Sequence, residues 1–119
     1  MTPHPNQIIG GYGECMATRY LAAQGMAVLD RNWCGPAGEI DLILRDGADL
    51  VFCEVKTRRS LRFGLPVEAI VPAKVRRMRR LAAQWLKTTR IRPREVRFDV
   101  VSVVPRRGLA HIEHLREAF

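Results

Sequence analysis

Two short apolar runs, Gly38-Glu39-Ile40-Asp41-Leu42-Ile43-Leu44 and Leu50-Val51-Phe52-Cys53-Glu54-Val55-Lys56, constrain this chain more than any other segment. Each has the length of a strand, and Arg45-Asp46-Gly47-Ala48 between them carries the Asp-Gly signal of a tight hairpin. Successive strand residues point to opposite faces, so Glu54 and Lys56 share one face while Val51, Cys53 and Val55 share the other. A loop at 46–47 opposes position 41 to 52 and 39 to 54, whereas a loop at 47–48 opposes 41 to 54 directly. Either register gathers Glu39, Asp41, Glu54 and Lys56 on one face. The other face then holds Ile40, Leu42, Leu44, Val51, Cys53 and Val55 and is the expected core.

Carboxylates that face one another across a sheet repel, and burying a polar group without a partner costs about 2–7 kcal/mol. A divalent cation would relieve that repulsion. Hard cations such as Mg²⁺ take oxygen ligands, and Asp41, Glu54 and the backbone carbonyl of Val55 are suitable donors. Such an ion lowers the pKa of a bound water and stabilises charge on a phosphoryl oxygen. Lys56, on the same face, is placed to orient an attacking water or to offset phosphate charge. The alternative is a solvated sheet face on which Lys56 simply pairs with Glu54 or Asp41. These residues alone leave the two readings level.

The chain has 119 residues, enough for one domain, and 47% apolar residues, enough for one core. Its net charge of +8, from 20 Lys and Arg against 12 Asp and Glu, suits a polyanionic partner whose counterions are released on binding. Arginine dominates the basic set, which favours bidentate phosphate contacts. No uninterrupted apolar stretch reaches the ~18 residues of a membrane span, and no secretory signal is visible at the N-terminus. The three cysteines, Cys15, Cys34 and Cys53, are odd in number and far apart, as expected of reduced thiols in a cytoplasmic protein.

Residues 1–9 read as a flexible leader and 10–119 as a single domain. Helical spacing over 10–24 places Met16, Tyr20 and Ala23 on one stripe, with Ala17 and Leu21 beside it, and Gly25 as a stop. A strand over 26–33 precedes the hairpin. Residues 58–72 are irregular, with a short helical turn near 66–70. A long helix over 72–89 has the apolar stripe Val75, Met78, Leu81, Ala82, Trp85 and Leu86, and an outer surface of Lys74, Arg76, Arg77, Arg79, Arg80 and Lys87. Strands over 96–104 and 110–112 follow, and the last residues are expected to fray. The order α-β-β-β-α-β describes an α/β fold with a mixed central sheet flanked by helices.

An acid on one strand followed by Glu-x-Lys on the next, here Asp41 and Glu54-Val55-Lys56, resembles the core of the PD-(D/E)XK nuclease superfamily. More closely, the chain resembles the YraN family of bacterial proteins, which is similar to archaeal Holliday-junction resolvases. The likeness spans 10–103. It rests on Gly13-Glu14, Asp30-Arg31-Asn32-Trp33, Gly38-Glu39-Ile40-Asp41-Leu42-Ile43, Val51-Phe52-Cys53-Glu54-Val55-Lys56-Thr57-Arg58, Lys74 and Arg97-Phe98-Asp99-Val100-Val101. It implies a restriction-endonuclease-like αβββαβ core and a Mg²⁺-dependent DNA endonuclease, with Mn²⁺ as an alternative ion. It implies metal ligation by Asp41, Glu54 and the Val55 carbonyl, completed by Glu14 directly or through water, and Lys56 as the residue that positions the water. Branched or damaged DNA is the implied substrate, and a homodimer the implied assembly. The competing reading is a nucleic-acid-binding module of the same fold without cleavage. A third is a protein whose basic helix docks on an acidic partner.

Lys74, Arg76, Arg77, Arg80 and Arg58 are the expected nucleic-acid contacts. Glu39 is assigned to the surroundings of the site rather than to the ligand set. Glu68 and Asp99 are expected to make structural hydrogen bonds, and Trp33 and Trp85 to anchor the core. His111-x-x-His114 has metal-binding spacing only on a helix, so no zinc site is expected there.

Overall fold

The computed structural model describes residues 5–58 and 71–119. It contains helix α1 (Pro5–Ala23), strands β1 (Ala27–Gly35), β2 (Gly38–Asp46) and β3 (Asp49–Thr57), helix α2 (Pro72–Lys87), and strands β4 (Val96–Val104) and β5 (His111–Leu115). Glu68 and the helical turn expected at 66–70 lie outside the described residues. The five strands form one sheet in the order β1-β2-β3-β4-β5. Its neighbours run antiparallel except β3 and β4, which pair in parallel from Leu50↔Val96 to Thr57↔Val103. A parallel pair needs a crossover, and α2 lies within it. This is the α/β fold with a mixed sheet expected from the strand and helix order, and it is consistent with the restriction-endonuclease-like core that the resemblance implies.

The hairpin takes the second of the two registers. Asp46 pairs with Asp49 across Gly47 and Ala48, and Gly47 supplies the positive φ of 62° that the turn requires. Pairing runs from there to Leu42↔Cys53.

Both faces of the sheet are core, which corrects the expectation of one apolar and one charged face. On the α1 side Ala17, Leu21 and Met26 pack on Leu42, Leu44, Val51, Cys53, Val101 and Val103. On the α2 side Met78, Leu81, Ala82 and Trp85 pack on Ile40, Ile43, Leu50, Phe52 and Phe98. A central strand with a parallel neighbour is covered by helices on both sides, so its sequence is apolar almost throughout. Ile40 was expected beside Leu42 and Leu44 but lies with Ile43 on the α2 side. Two residues three apart cannot share a face of a regular strand, so the alternation breaks between them, around Asp41. Asn32, on the neighbouring strand, has a positive φ of 48°.

α1 begins at Pro5 rather than near 10. Its buried ridge is Gly13, Ala17 and Leu21, spaced by four, with Met16 and Tyr20 half-buried and Ala23 exposed. A helix that lies against a sheet needs small residues where the backbones come closest. α2 starts with Pro72 in its first turn, where a missing N–H costs nothing, and buries Met78, Leu81, Ala82 and Trp85. The Trp85 indole N–H donates to Asp30 Oδ2 at 3.3 Å, while Trp33 is half-buried at the edge of the same cluster.

The C-terminal residues are tied down rather than frayed. The Ala118 N–H donates to the Phe98 carbonyl at 2.7 Å, the Glu117 N–H donates to Asp99 Oδ1, and Phe119 stacks on Phe98 at 5.3 Å. No helix among the described residues is long and apolar enough to cross a membrane.

Candidate active site

Where β2 and β3 cease to pair, the sheet opens, and Asp41 fills the opening. The Val55 N–H donates to Asp41 Oδ2 at 2.8 Å, so the carboxylate takes a backbone donor near the end of the ladder and is fixed by it. Burial raises the Asp41 carboxyl from 3.8 to about 6, although the Val55 N–H opposes the rise. The charges of Glu14, Glu54 and Glu39 push it further in the same direction. The expected acids therefore converge electrostatically on Asp41.

Glu14 arrives there because α1 touches β3 at the preceding residue. A Cβ on Gly13 would lie 1.7 Å from Thr57 Oγ1, so only glycine lets the helix come this close. Among the described residues, no three His, Cys, Asp or Glu side chains lie close enough together to form a metal cluster. The oxygen donors in place are the Asp41 and Glu54 carboxylates, with the Val55 backbone beside them.

Glu54 is mostly buried and unevenly partnered. Its Oε1 receives two ammonium groups, Lys74 at close range and Lys56 at 3.5 Å. Its Oε2 is buried with no hydrogen-bond partner among the described residues. Buried polar atoms are almost always satisfied, so this one marks a place that another group can fill. Lys56 is 38% exposed and Lys74 15%, so Lys56 faces the solvent side while Lys74 is held inside. Burial lowers the Lys74 ammonium below its usual range; Glu54 opposes that change and Lys56 adds to it.

Glu39, Asp41, Glu54, Arg77 and Met78 line an open cleft of about 260 Å³. Glu39 is exposed at its rim. Gly38, at a φ of +138°, gives the Arg77 side chain room, with its Cδ 3.6 Å from where a Cβ would stand. Arg77 thus differs from the rest of its basic run: it borders the carboxylates, whereas Arg76, Arg79 and Arg80 are exposed on α2 and do not line the cleft. Arg58 lies just past β3, its N–H bonded to the Val103 carbonyl at 2.9 Å.

A second polar cluster occupies the hairpin end of the sheet; the structural hydrogen bonding expected of Asp99 is found there, while its partners were not foreseen. Arg97 forks onto the fully buried Asp99 at 2.9 and 3.1 Å and also reaches Asp46 at 3.0 Å. His114 meets Asp99 Oδ2 at 2.7 Å, and Arg116 meets Asp46 at 3.0 Å. Burial would raise the Asp99 carboxyl, but the donors from His114, Arg97 and Glu117 outweigh it and hold the group below its usual value. Asp99 and His114 are therefore structural, and His114 lies on a strand rather than a helix. The available signal was Arg97-x-Asp99 on an apolar strand, since a buried charge pair at a spacing of two shares one face.

Comparison with known proteins places the chain directly. Residues 13–103 match the profile described as Uncharacterised protein family UPF0102. The chain belongs to the UPF0102, or YraN, family. A UPF0102 protein of Frankia alni is 55% identical over the whole of both chains. One from Nocardioides is 53% identical over 92% of this chain and 90% of its own, and one from Beutenbergia cavernae 56% identical over 91% and 92%. The family match begins at Gly13, the residue that brings α1 onto β3, and contains Asp41, Glu54, Lys56 and Lys74. In this UPF0102 protein those residues meet at one end of one sheet.

Proposed function

We propose that this UPF0102 protein is a metal-dependent DNA endonuclease that hydrolyses phosphodiester bonds with Mg²⁺, or Mn²⁺ in its place. The observation that carries the reading is the mostly buried Glu54 carboxylate, which lines the same open cleft as the crowded Asp41 carboxyl and whose Oε2 has no hydrogen-bond partner among the described residues. Hard oxygens with one coordination position left over fit a hard cation that keeps several of its waters. Asp41, Glu54 and the Val55 carbonyl would hold it, with Glu14 acting through water, because among the described residues no third acid closes the cluster. When bound, such an ion supplies a polarising charge that acidifies water and stabilises charge on the phosphate.

The remaining contributions come from the chain itself. The Val55 N–H fixes the orientation of Asp41. Lys56, half-exposed beside Glu54, is placed to orient the attacking water and to offset negative charge as it grows on the phosphate. Arg77 at the mouth of the cleft supplies a planar donor set for a backbone phosphate, and the outward-facing Arg76 and Arg80 extend the positive surface along α2. Branched or damaged DNA as substrate, and a two-fold dimer as the working assembly, follow from the likeness to junction resolvases.

A binding module without cleavage is the second reading. The same Lys74 ammonium that meets Glu54 favours it, since a resident cation there can stand permanently in place of a metal. The test is cleavage of labelled single-stranded, duplex, flap and four-way-junction DNA with Mg²⁺ or Mn²⁺, beside EDTA and Glu54→Ala controls. Metal-dependent cutting that Glu54→Ala abolishes is the expected result. Tight binding without cutting would leave the binding module.

A further inference from the structure

Two ammonium groups converge on one oxygen of Glu54 while its other oxygen has no partner among the described residues. That is an uneven way to neutralise a single carboxylate. Glu54 carries one negative charge, and a second cation on the same oxygen gains little while repelling the first. Lys56 is fixed two residues from Glu54 on β3 and faces solvent. Lys74 comes from α2, the element that closes the cleft on one side, and its ammonium is held inside. Lysine is also suited to moving: its charge sits on a flexible four-carbon stem.

We infer that Lys74 is an exchangeable counterion of the active site: it neutralises Glu54 in the metal-free protein, yields that position to a divalent cation, and then presents its ammonium to the DNA phosphate. The inference rests on the endonuclease reading and adds a role to it. Asp41 and Glu54 would hold a divalent ion beside the two lysines that now meet Glu54, and like charges so close repel strongly in a partly dry cleft. Lys56 can turn outward to solvent, where its side chain already reaches. Lys74 is the more buried of the two and must leave Glu54 for the nearest anion that remains. In a DNA complex that anion is the phosphate seated over the cleft. The exchange keeps Glu54 compensated before the ion arrives and adds a positive charge to the site only once it is loaded.

Mn²⁺ binding followed by electron paramagnetic resonance, without DNA, tests the first half. Lys74→Gln is expected to bind Mn²⁺ about tenfold more tightly than the unmodified chain, because a competing cation has been removed. Lys87→Gln, at the far end of α2, is expected to match the unmodified chain, and Glu54→Gln to lose the site. Equal or weaker Mn²⁺ binding by Lys74→Gln overturns the exchange while leaving the metal site standing. Absence of Mn²⁺ binding by the unmodified chain overturns both.

DNA affinity tests the second half. Without metal, Lys74→Gln and the unmodified chain are expected to bind a duplex equally. With Ca²⁺, which fills oxygen sites, the variant is expected to bind about three- to tenfold more weakly; a deficit that is the same with and without Ca²⁺ overturns the exchange. Side-chain nitrogen resonance on the unmodified chain needs no substitution. The Lys74 ammonium protons are expected to exchange slowly while paired and rapidly once Mg²⁺ is added, and persistence of the pair at saturating Mg²⁺ overturns the inference.

Discussion

Gly13 on α1 and Thr57 at the end of β3 stand so close that a methyl group on Gly13 would fall 1.7 Å from the Thr57 hydroxyl, 2.9 Å from its Cβ and 3.1 Å from its Cγ2. No rotamer of Thr57 clears all three. In an unconstrained helix, Gly→Ala would stabilise by about 1 kcal/mol. Here overpacking, at roughly 1–3 kcal/mol, works against that gain and carries Glu14 away from Asp41. Gly13→Ala is therefore expected to lower the denaturation midpoint. Gly13→Ala combined with Thr57→Gly should recover the part due to the clash, and a midpoint unchanged in Gly13→Ala alone would show that α1 can shift freely.

Asp41 and Asp99 should respond to pH in opposite directions. The Asp41 carboxyl is raised to about 6 in the folded chain from 3.8, so between those values the native state holds the extra proton. Stability from this group therefore falls as pH rises through that window, and the full cost applies above it. At about 1.4 kcal/mol for each pH unit, the cost is roughly 2–3 kcal/mol. Asp41→Asn is expected to be more stable than the unmodified chain by about that amount at pH 7.5 and indistinguishable near pH 3.5. Urea unfolding of both proteins at the two pH values is the check.

The Asp99 carboxyl is held below 3.8, so the unfolded state takes up protons first as the solution is acidified. Its contribution is fully present above that value and is lost as pH falls through the folded value. Breaking a buried pair by removing one partner costs about 3–5 kcal/mol. Asp99→Asn should therefore be destabilised by several kcal/mol at pH 7, and the deficit should shrink below pH 4. A deficit independent of pH would mean that packing, not charge, is what Asp99 contributes.

Arg77 and Arg79 separate a site residue from a surface residue. They are two positions apart on α2, so they point about 200° apart around the helix. Only Arg77 lines the cleft. Arg77→Ala is expected to weaken DNA binding about tenfold and to reduce the salt dependence by roughly one phosphate contact, while Arg79→Ala changes little. Equal losses from both substitutions would indicate diffuse attraction by the whole basic helix. Fluorescence anisotropy with a labelled duplex across a salt series distinguishes the two.

The hairpin, the two helices and the residues of the cleft were legible because each rests on local signals: Asp46-Gly47 for the turn, an apolar stripe with spacing of three and four for α2, and Glu54-Val55-Lys56 for the site. What escaped depends on long-range packing. Ile40 fell on the unexpected face because the break in alternation around Asp41 belongs to the meeting of strands, not to β2 alone. Lys74 was expected as a nucleic-acid contact, but its pairing with Glu54 was not legible, since no local signal shows that the α2 N-terminus closes over β3. The C-terminal residues read as loose, whereas Phe119 finds its partner on β4. Arg97, Asp99, Asp46 and His114 come from three separate strands, so their network exists only once the sheet is assembled.

The parallel pairing of β3 with β4 has a consequence for the order in which this protein is made. Asp41, Glu54 and Lys56 leave the ribosome well before residues 96–104, yet β3 gains its second neighbour only when those residues arrive. Lys74 also follows Glu54 in the chain. A nascent polypeptide halfway through synthesis thus carries all the acids of the site but lacks α2 and the parallel neighbour of β3. Asp41, Glu54, Lys56 and Lys74 can therefore be brought together only late in synthesis, once α2 and β4 have both been made.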